Sequence, residues 1–164
     1  MKIGIIINFH NNEKDIDPNV FIKQFVKTSH LQFCLVNNAS KDNTFELLNE
    51  IKNKCCNVSV VNVKKFKSDI SAIRAGARYM SSQFDLNHLG YVSINLLNIS
   101  HHGLKGLIEA ISENQQQLLK FNIQELNNRK IKLSLFQSLF SIVDYLKKIK
   151  VENQFIKIQY LCTF

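Results

Sequence analysis

The stretch Lys2-Ile-Gly-Ile-Ile-Ile-Asn-Phe9 is almost entirely apolar and rich in isoleucine. A strand with one face in solvent alternates apolar and polar residues, whereas a continuous apolar run is typical of a strand buried on both faces. Such strands occur in parallel sheets that helices cover on both sides. The run therefore predicts the first strand of a mainly parallel sheet.

Helical and strand-like segments alternate after this run. Further apolar runs predict strands at Leu31–Val36, Val58–Val63 and Leu89–Ile94. Capping residues predict the starts of the intervening helices at Asp17-Pro18, within Ser40–Asn43 and at Ser68. This alternation is typical of right-handed βαβ units, so the sequence predicts a three-layer α/β/α, Rossmann-like domain.

The rest of the chain continues the alternation less regularly. It predicts a helix around Leu104–Glu113, a weak strand around Leu118–Ile123, a long helix around Leu133–Lys150 and a final strand around Phe155–Leu161. With 164 residues and only one proline, the chain has the length of one domain and no stretch typical of a linker. We expect residues 1–164 to form a single domain.

The net charge of +8 comes from 18 lysines and three arginines that are scattered over the predicted helices. Such a dispersed charge indicates a solvated surface that attracts anions such as phosphates, rather than a nucleic-acid interface. No apolar run reaches the roughly 20 residues that a membrane-spanning helix needs. We expect a cytoplasmic protein without a membrane span, and peripheral membrane contact stays open.

The four cysteines do not have the spacing of a metal site, because no two of them form a Cys-x-x-Cys pair. They are Cys34, Cys55, Cys56 and Cys162. We expect free and mostly buried thiols in a reducing compartment.

The functional site is expected where the strands end. In parallel α/β sheets, ligands bind beyond the carboxyl ends of the strands, where the strand order reverses. The segments that leave the first, second and fourth predicted strands are 8–12, 37–40 and 95–102. In the last of them, His101 and His102 are most simply a solvated helix start, and binding of a phosphate or a metal is the alternative. Lys105 and the helix N-terminus favour an anion there.

Two of these segments resemble motifs of family 2 glycosyltransferases. Val36-Asn-Asn-Ala-Ser-Lys-Asp-Asn-Thr44 is similar to the family's Val-Asp-Asp-Gly-Ser-x-Asp-x-Thr, with matches at Ser40, Asp42 and Thr44. The exit of the first strand is similar to the family's Pro-x-Tyr-Asn-Glu, with matches at Asn11 and Glu13. Ser71–Tyr79 resembles a later segment of the family, and Leu146–Leu161 resembles one of its polyprenyl-phosphate branch. The resemblance implies a GT-A-like fold and a nucleotide-diphospho-sugar ligand.

The chain departs from the family at positions that carry its chemistry. The family's Asp-x-Asp pair, which holds Mg²⁺ or Mn²⁺, follows the fourth strand, but this chain has no carboxylate between Asp85 and Glu109. Asn95 or Asn98 stands at that pair, and Asn153 stands at the family's later aspartate. A metal lacks anionic ligands there, and an amide cannot act as a base near neutral pH. These departures from the family therefore predict that the chain has no metal cofactor and no catalytic residue.

Nucleotide recognition is expected to survive in weakened form. Asn37 and Asn38 replace two aspartates, and the resemblance gives Asn38 the role of accepting a hydrogen bond from uracil N3–H. His10 replaces the tyrosine that stacks on the base, and Lys67 is the candidate contact for the diphosphate. The candidate nucleotide-binding residues are Asn8, His10, Asn37, Asn38, Lys67, Asn95 and Asn98.

The functional prediction is a glycosyltransferase-like protein that is weak or inactive in sugar transfer because its metal and base positions are degraded. The alternative is a non-catalytic module that binds a nucleotide-sugar or docks on a partner. The implied ligand is a UDP- or GDP-type nucleotide-sugar. The protein partners left open are a second copy of the chain and a true glycosyltransferase, and no nucleic acid is expected.

Overall fold

The computed structural model describes residues 2–94, 103–129, 132–135 and 137–149. Within them the strands are β1 (Ile3–Phe9), β2 (Gln32–Asn38), β3 (Val58–Val63), β4 (His88–Ser93) and β5 (Phe140–Ser141). The helices are α1 (Pro18–Lys27), α2 (Thr44–Lys54), α3 (Asp69–Gln83), α4 (Gly103–Glu113), α5 (Gln115–Asn127) and α6 (Ile142–Lys148). Glu13–Asp15 form a single 3₁₀ turn.

The strands form one sheet in the order β3-β2-β1-β4-β5, and the paired strands are parallel. Successive side chains of a strand point to opposite faces, so the sheet separates two hydrophobic cores. Helices α1, α2, α4, α5 and α6 contribute to the core on one face, and α3 contributes to the core on the other. The predicted α/β architecture with a parallel central sheet and helices on both faces is confirmed.

Helix α3 packs directly on the centre of the sheet at Gly76. A Cβ atom at this position would come within 2.8 Å of Cγ2 of both Ile6 and Val36, so a larger residue would push the helix away. Ser68 caps α3, because its Oγ accepts a hydrogen bond from the Ser71 N–H (3.3 Å). A helix that follows a parallel strand begins at the carboxyl edge of the sheet, and this edge therefore includes Asp69.

The prediction of a strand at Leu118–Ile123 is wrong, because these residues lie in α5. Their buried side chains, Leu118, Leu119 and Asn122, have helical spacing. The surrounding glutamines, leucines and lysine are good helix formers, and this preference outweighs the short apolar run.

The predicted helix Leu133–Lys150 is wrong over its first half. Only α6 is helical in the described part of this segment, and Phe140–Ser141 pairs with β4 as the short strand β5. Ser141 starts α6, because its Oγ accepts a hydrogen bond from the Asp144 N–H (3.3 Å). The predicted strand around Phe155–Leu161 lies outside the described residues.

Cys34, Cys55 and Cys56 carry free thiols, as predicted. Cys34 and Cys55 are buried, and Cys56 is exposed. Burial raises the pKa of the Cys34 thiol to about 12, so this thiol is inert at neutral pH. In the described part of the chain, no helix has the length and apolarity needed to cross a membrane.

Candidate functional site

The loops that follow β1 and β2 are joined by hydrogen bonds at the carboxyl edge of the sheet. The Asn11 N–H donates to Ser40 Oγ (3.0 Å), and the Lys41 N–H donates to Asn11 Oδ1 (2.8 Å). The Asn12 N–H donates to Thr44 Oγ1 (2.8 Å). These bonds fix the relative positions of two loops that both border the site.

The carboxylates of Glu13 and Asp42 strengthen the same junction. The Asn43 N–H donates to Glu13 Oε2 (2.7 Å), and the Glu13 N–H donates to Asp42 Oδ2 (3.2 Å). Asp42 also accepts hydrogen bonds from the N–H and the hydroxyl of Thr44. Burial raises the pKa of the Asp42 carboxyl, but the hydrogen bonds together lower it more, so the net pKa shift is downward.

An open cleft of about 520 Å³ lies beyond the ends of β1, β2 and β3. Its walls combine aromatic rings with positive charge. The ring centroids of His10 and Phe66 are 4.6 Å apart at an interplanar angle of 57°, and Phe66 is 64% exposed. The lining residues are His10, Asn11, Ala39, Ser40, Lys41, Lys64 and Phe66.

Hydrogen bonds fix the orientation of the His10 ring in the cleft wall. His10 Nδ1 lies 2.6 Å from the carbonyl oxygen of Asn38. Because a carbonyl can only accept, Nδ1 carries a proton. His10 Nε2 lies 3.1 Å from Asn11 Nδ2 and accepts a hydrogen bond from that amide when the ring is neutral. The ring is therefore held as one face of the cleft and not as a freely rotating side chain.

The side chain of Asn38 does not open into the cleft. It is fully buried, and both ends of its amide are bound to the main chain of Lys67. Asn38 Nδ2 donates to the Lys67 carbonyl (2.8 Å), and Asn38 Oδ1 accepts from the Lys67 N–H (3.0 Å). The amide thus anchors the segment between β3 and α3, and Lys67 contacts Asn38 through its backbone.

A second polar group lies between the ends of β1 and β4. Asn8 and Ser93 are paired across the two strands, and both side chains bind the Asp69 carboxylate at the start of α3. Asn8 Nδ2 donates to Asp69 Oδ1 (3.1 Å), and Ser93 Oγ donates to Asp69 Oδ2 (2.9 Å). Asn8 Oδ1 is buried and has no hydrogen-bond donor among the described residues. The strand order reverses here, which is where α/β sheets bind ligands.

The predicted site residues occupy three environments at this edge. His10 lines the cleft, Asn8 and Asn38 are buried on the α3 side of the sheet, and Asn37 is buried on the opposite side. Asn37 Nδ2 donates to Asn62 Oδ1 (2.9 Å), whereas Asn37 Oδ1 has no donor in the described structure. Outside the described residues lie Asn95, Asn98, His101, His102 and Asn153.

Sequence reasoning missed Lys41 after β2, Lys64 and Phe66 in the turn between β3 and α3, and Asp69 at the start of α3. The signal was available, because every turn that follows a parallel strand lies at the carboxyl edge. The run Lys64-Lys-Phe-Lys67 also places an aromatic residue within a basic cluster. In the described part of the chain, no three His, Cys, Asp or Glu side chains are grouped so that they could hold a metal.

The fold and the site together define an α/β domain with a cationic, partly aromatic cleft at the carboxyl edge of a parallel sheet. No family model matches the chain, and no curated protein matches it. Two crystal structures of S. aureus TarS are similar in structure, each with a TM-score of 0.45 over 70% of this chain.

One of these structures is TarS 1-349, with 23% sequence identity, and the other is TarS, with 19%. The match covers 33% of the first TarS chain and 20% of the second, so this chain corresponds to a third or less of either. The architecture of this chain follows from its own parallel sheet and the helices on both faces.

Proposed function

We propose that this chain is a glycosyltransferase-like nucleotide-binding domain that takes a nucleotide or nucleotide-diphospho-sugar in the cleft beyond β1, β2 and β3. The observation that carries the proposal is the pairing, in one cleft, of the Phe66–His10 rings with Lys41 and Lys64. A nucleotide has the same two chemical parts, a flat base and an anionic phosphate. The sequence resemblance to family 2 glycosyltransferases supports the same class of ligand.

The Phe66 ring offers the base a surface on which to stack. It is the most exposed large apolar side chain among the described residues, and the fixed ring of His10 lies beside it. Stacking of a base on an aromatic side chain contributes about 1–3 kcal/mol in single-stranded nucleic-acid complexes. It depends little on which base is present, because every base has an aromatic face.

Lys41 and Lys64 supply positive charge to the same cleft. They lie in a chain whose net charge is +8, so a phosphate ligand is attracted both locally and by the field of the whole molecule. An ammonium group on a flexible stem binds phosphate without strict geometry. The lysines therefore favour nucleoside phosphates over nucleosides.

Recognition of uracil through Asn38 would require the Lys67 segment to move, because that segment uses both ends of the Asn38 amide. We therefore propose that stacking and charge supply most of the affinity. The resemblance places Asn153 at the family's later aspartate, and an amide cannot take up a proton at neutral pH. We accordingly propose binding with weak or absent sugar transfer.

The test is an NMR titration of the isotope-labelled protein with uridine, UDP and inorganic phosphate. We expect Phe66→Ala to weaken the binding of uridine and UDP alike, by about 1–3 kcal/mol. We expect Lys64→Ala to weaken UDP and phosphate but not uridine. Lys65→Ala is the matched control, because Lys65 is adjacent and exposed but does not line the cleft. If neither UDP nor uridine shifts cleft signals at millimolar concentration, the proposal fails.

A further inference from the structure

The strand β3 forms one edge of the sheet, and within the described residues it pairs only with β2. The Phe33 N–H donates to the Asn57 carbonyl (2.8 Å) just before the strand, and the Ala39 N–H donates to the Val63 carbonyl (2.8 Å) at its end. The backbone groups of a strand alternate in direction from one residue to the next. The residues whose backbone groups face β2 are therefore Asn57, Ser59, Val61 and Val63.

The residues between them, Val58, Val60 and Asn62, direct their backbone groups away from the sheet. The Val58 N–H is used locally, because it donates to the Cys55 carbonyl (3.3 Å). In the part of the chain that the structure describes, the backbone N–H and C=O groups of Val60 and Asn62 have no hydrogen-bond partner. Two donors and two acceptors thus lie along this edge, in the arrangement to which a further extended chain binds.

The strand itself has none of the features that usually protect an exposed edge. Its sequence, Val58-Ser-Val-Val-Asn-Val63, contains no charged residue and no proline, and its pairing with β2 continues without a bulge. Val60 and Val61 are each only partly buried, and they pack against the cores on opposite faces of the sheet. A sixth strand would cover both side chains, one on each face.

Lysines flank both ends of this edge. Lys52 and Lys54 lie in the last turn of α2, just before the strand, and Lys64 and Lys65 follow it; all four are exposed. Glu50 forms an ion pair with Lys54 (3.3 Å). A second copy of the chain, paired antiparallel, would bring the lysines that follow each β3 towards those that precede the other, and these like charges repel. A segment with carboxylates at its ends would meet the opposite charge at both.

We propose that the outer edge of β3 binds an extended, acidic segment of another protein as a sixth strand of the sheet. Hydrogen bonds to Val60 and Asn62 supply the pairing, β-branched side chains of the segment cover Val60 and Val61, and its terminal carboxylates contact the flanking lysines. Main-chain hydrogen bonds depend little on the partner's sequence, so the lysines supply the selectivity. The proposal goes beyond the nucleotide cleft and does not depend on it.

The experiment measures amide hydrogen exchange of the isotope-labelled protein by NMR, without nucleotide. The probe is the synthetic peptide Glu-Glu-Thr-Val-Thr-Val-Thr-Glu-Glu with blocked termini. We expect it to slow exchange of the Val60 and Asn62 amides, which gain hydrogen bonds, and not of the Ser59 and Val61 amides, which already bond to β2. The same peptide with lysine at the four glutamate positions should bind at least about tenfold more weakly at low ionic strength, and added salt should reduce this difference.

Val60→Pro should abolish the slowing at Asn62, because proline has no N–H and its ring occupies the outer side, a position that an edge strand tolerates. Val60→Thr is the matched control, since it keeps the N–H and the β-branched shape and should bind the peptide as the parent chain does. Lys65→Glu tests the charge, and it should weaken the acidic peptide and strengthen the lysine peptide. Its control is Lys120→Glu, because Lys120 is exposed on α5, which is bonded to β4 on the other side of β1.

If Val60→Pro does not fold, the comparison of Lys65→Glu with Lys120→Glu decides. Slow exchange at Val60 and Asn62 in the free protein would overturn the proposal, because the edge would then already be paired with the chain itself or with a second copy. The same holds for the absence of slowing at millimolar acidic peptide, for equal binding of the two peptides, and for equal effects of the two lysine variants. Because no nucleotide is present and Lys65 does not line the cleft, a negative result leaves the cleft proposal standing.

Discussion

The Asn38 amide forms two hydrogen bonds with the main chain of one residue, Lys67. These bonds attach the end of β2 to the segment that leads into α3. An aspartate at this position could reproduce only one of the two bonds. The asparagine is therefore explained by local chemistry in this chain, independently of any change in nucleotide recognition. Its neighbours Ser40, Asp42 and Thr44 are the matches to the resembled motif. All three join the two loops, and only Ser40 also lines the cleft.

We predict that Asn38→Asp destabilises the protein by about 1–3 kcal/mol. The change places a carboxylate oxygen against the Lys67 carbonyl, which is now 2.8 Å from an amide donor. Urea unfolding measures the effect. Asn62→Asp is the control, because Asn62 is exposed and uses its oxygen as an acceptor, which an aspartate retains. Equal stability of Asn38→Asp and the parent chain would show that the Lys67 contact contributes nothing.

The backbone at Ala39 carries local strain. Its φ of 50° lies in the left-handed region, which is costly for a residue with a Cβ atom. The Ala39 N–H donates to the Val63 carbonyl (2.8 Å), so the loop is held in this conformation by the end of β3. The motif that this segment resembles has glycine at this position, and glycine adopts a positive φ at little cost.

We predict that Ala39→Gly raises the free energy of unfolding by about 0.5–1 kcal/mol, because relief of the strain exceeds the entropy that glycine loses on folding. The same substitution at Ala75, inside α3, should lower it by about 1 kcal/mol, since glycine is a poor helix former. Thermal and urea unfolding of the two variants measure whether their free energies of unfolding change in opposite directions. A loss of stability in Ala39→Gly would show that this loop conformation is not strained.

At the scale of elements, a series of buried side-chain hydrogen bonds connects β4, α5 and α6. The Tyr145 hydroxyl donates to Asn122 Oδ1 (3.1 Å), and Asn122 Nδ2 lies 2.6 Å from His88 Nδ1. The amide nitrogen can only donate, so His88 Nδ1 is the acceptor and the imidazole is neutral. These hydrogen bonds hold α5 and α6 against the sheet at β4. In the strand order, β4 lies on one side of β1, and the strands β2 and β3 that border the cleft lie on the other.

Burial lowers the pKa of His88 below its ordinary value of 6.5. As the pH falls, the unfolded chain takes up this proton before the folded one does. The stability contributed by neutral His88 is therefore complete above the unfolded pKa and declines as the pH drops below about 6.5. We predict that His88→Gln lowers stability at neutral pH but reduces the loss between about pH 7 and pH 5.5. Urea unfolding at both pH values measures this difference, and an identical loss in parent and variant would contradict it.

At the scale of the whole molecule, the parts that could be predicted are those with a strong local signal. The strands β1, β2 and β4 are mainly apolar, and they are buried on both faces as that pattern predicts. The edge strand β3 has the same apolar signal but is only partly buried. Strand β5 has two residues, and it could not be distinguished from the start of a helix. The cleft residue His10 was found because it follows β1, whereas the contact between Asn38 and Lys67 spans 29 residues and depends on the completed turn.

The two cores of the molecule share the sheet, and this shared layer should make them unfold together. Cys34 lies in β2 within the α3-side core, and Cys55, at the end of α2, lies in the core on the other face. Both cores depend on β1 and β2, which are paired with each other at the centre of the sheet. Opening either core far enough to expose its thiol therefore requires the loss of that pairing.

We predict that Cys34 and Cys55 react with a thiol reagent at rates that give the same free energy of opening, equal to that of global unfolding. The exposed Cys56 should react at once and serves as the internal control. Rates are measured at several urea concentrations, under conditions in which closing is faster than labelling, and peptide mass spectrometry assigns each site. Each rate is corrected for the pKa that its thiol has in the unfolded chain. If Cys55 reacts through a smaller opening than Cys34, the α2 face separates from the sheet on its own, and the two cores are not one cooperative unit.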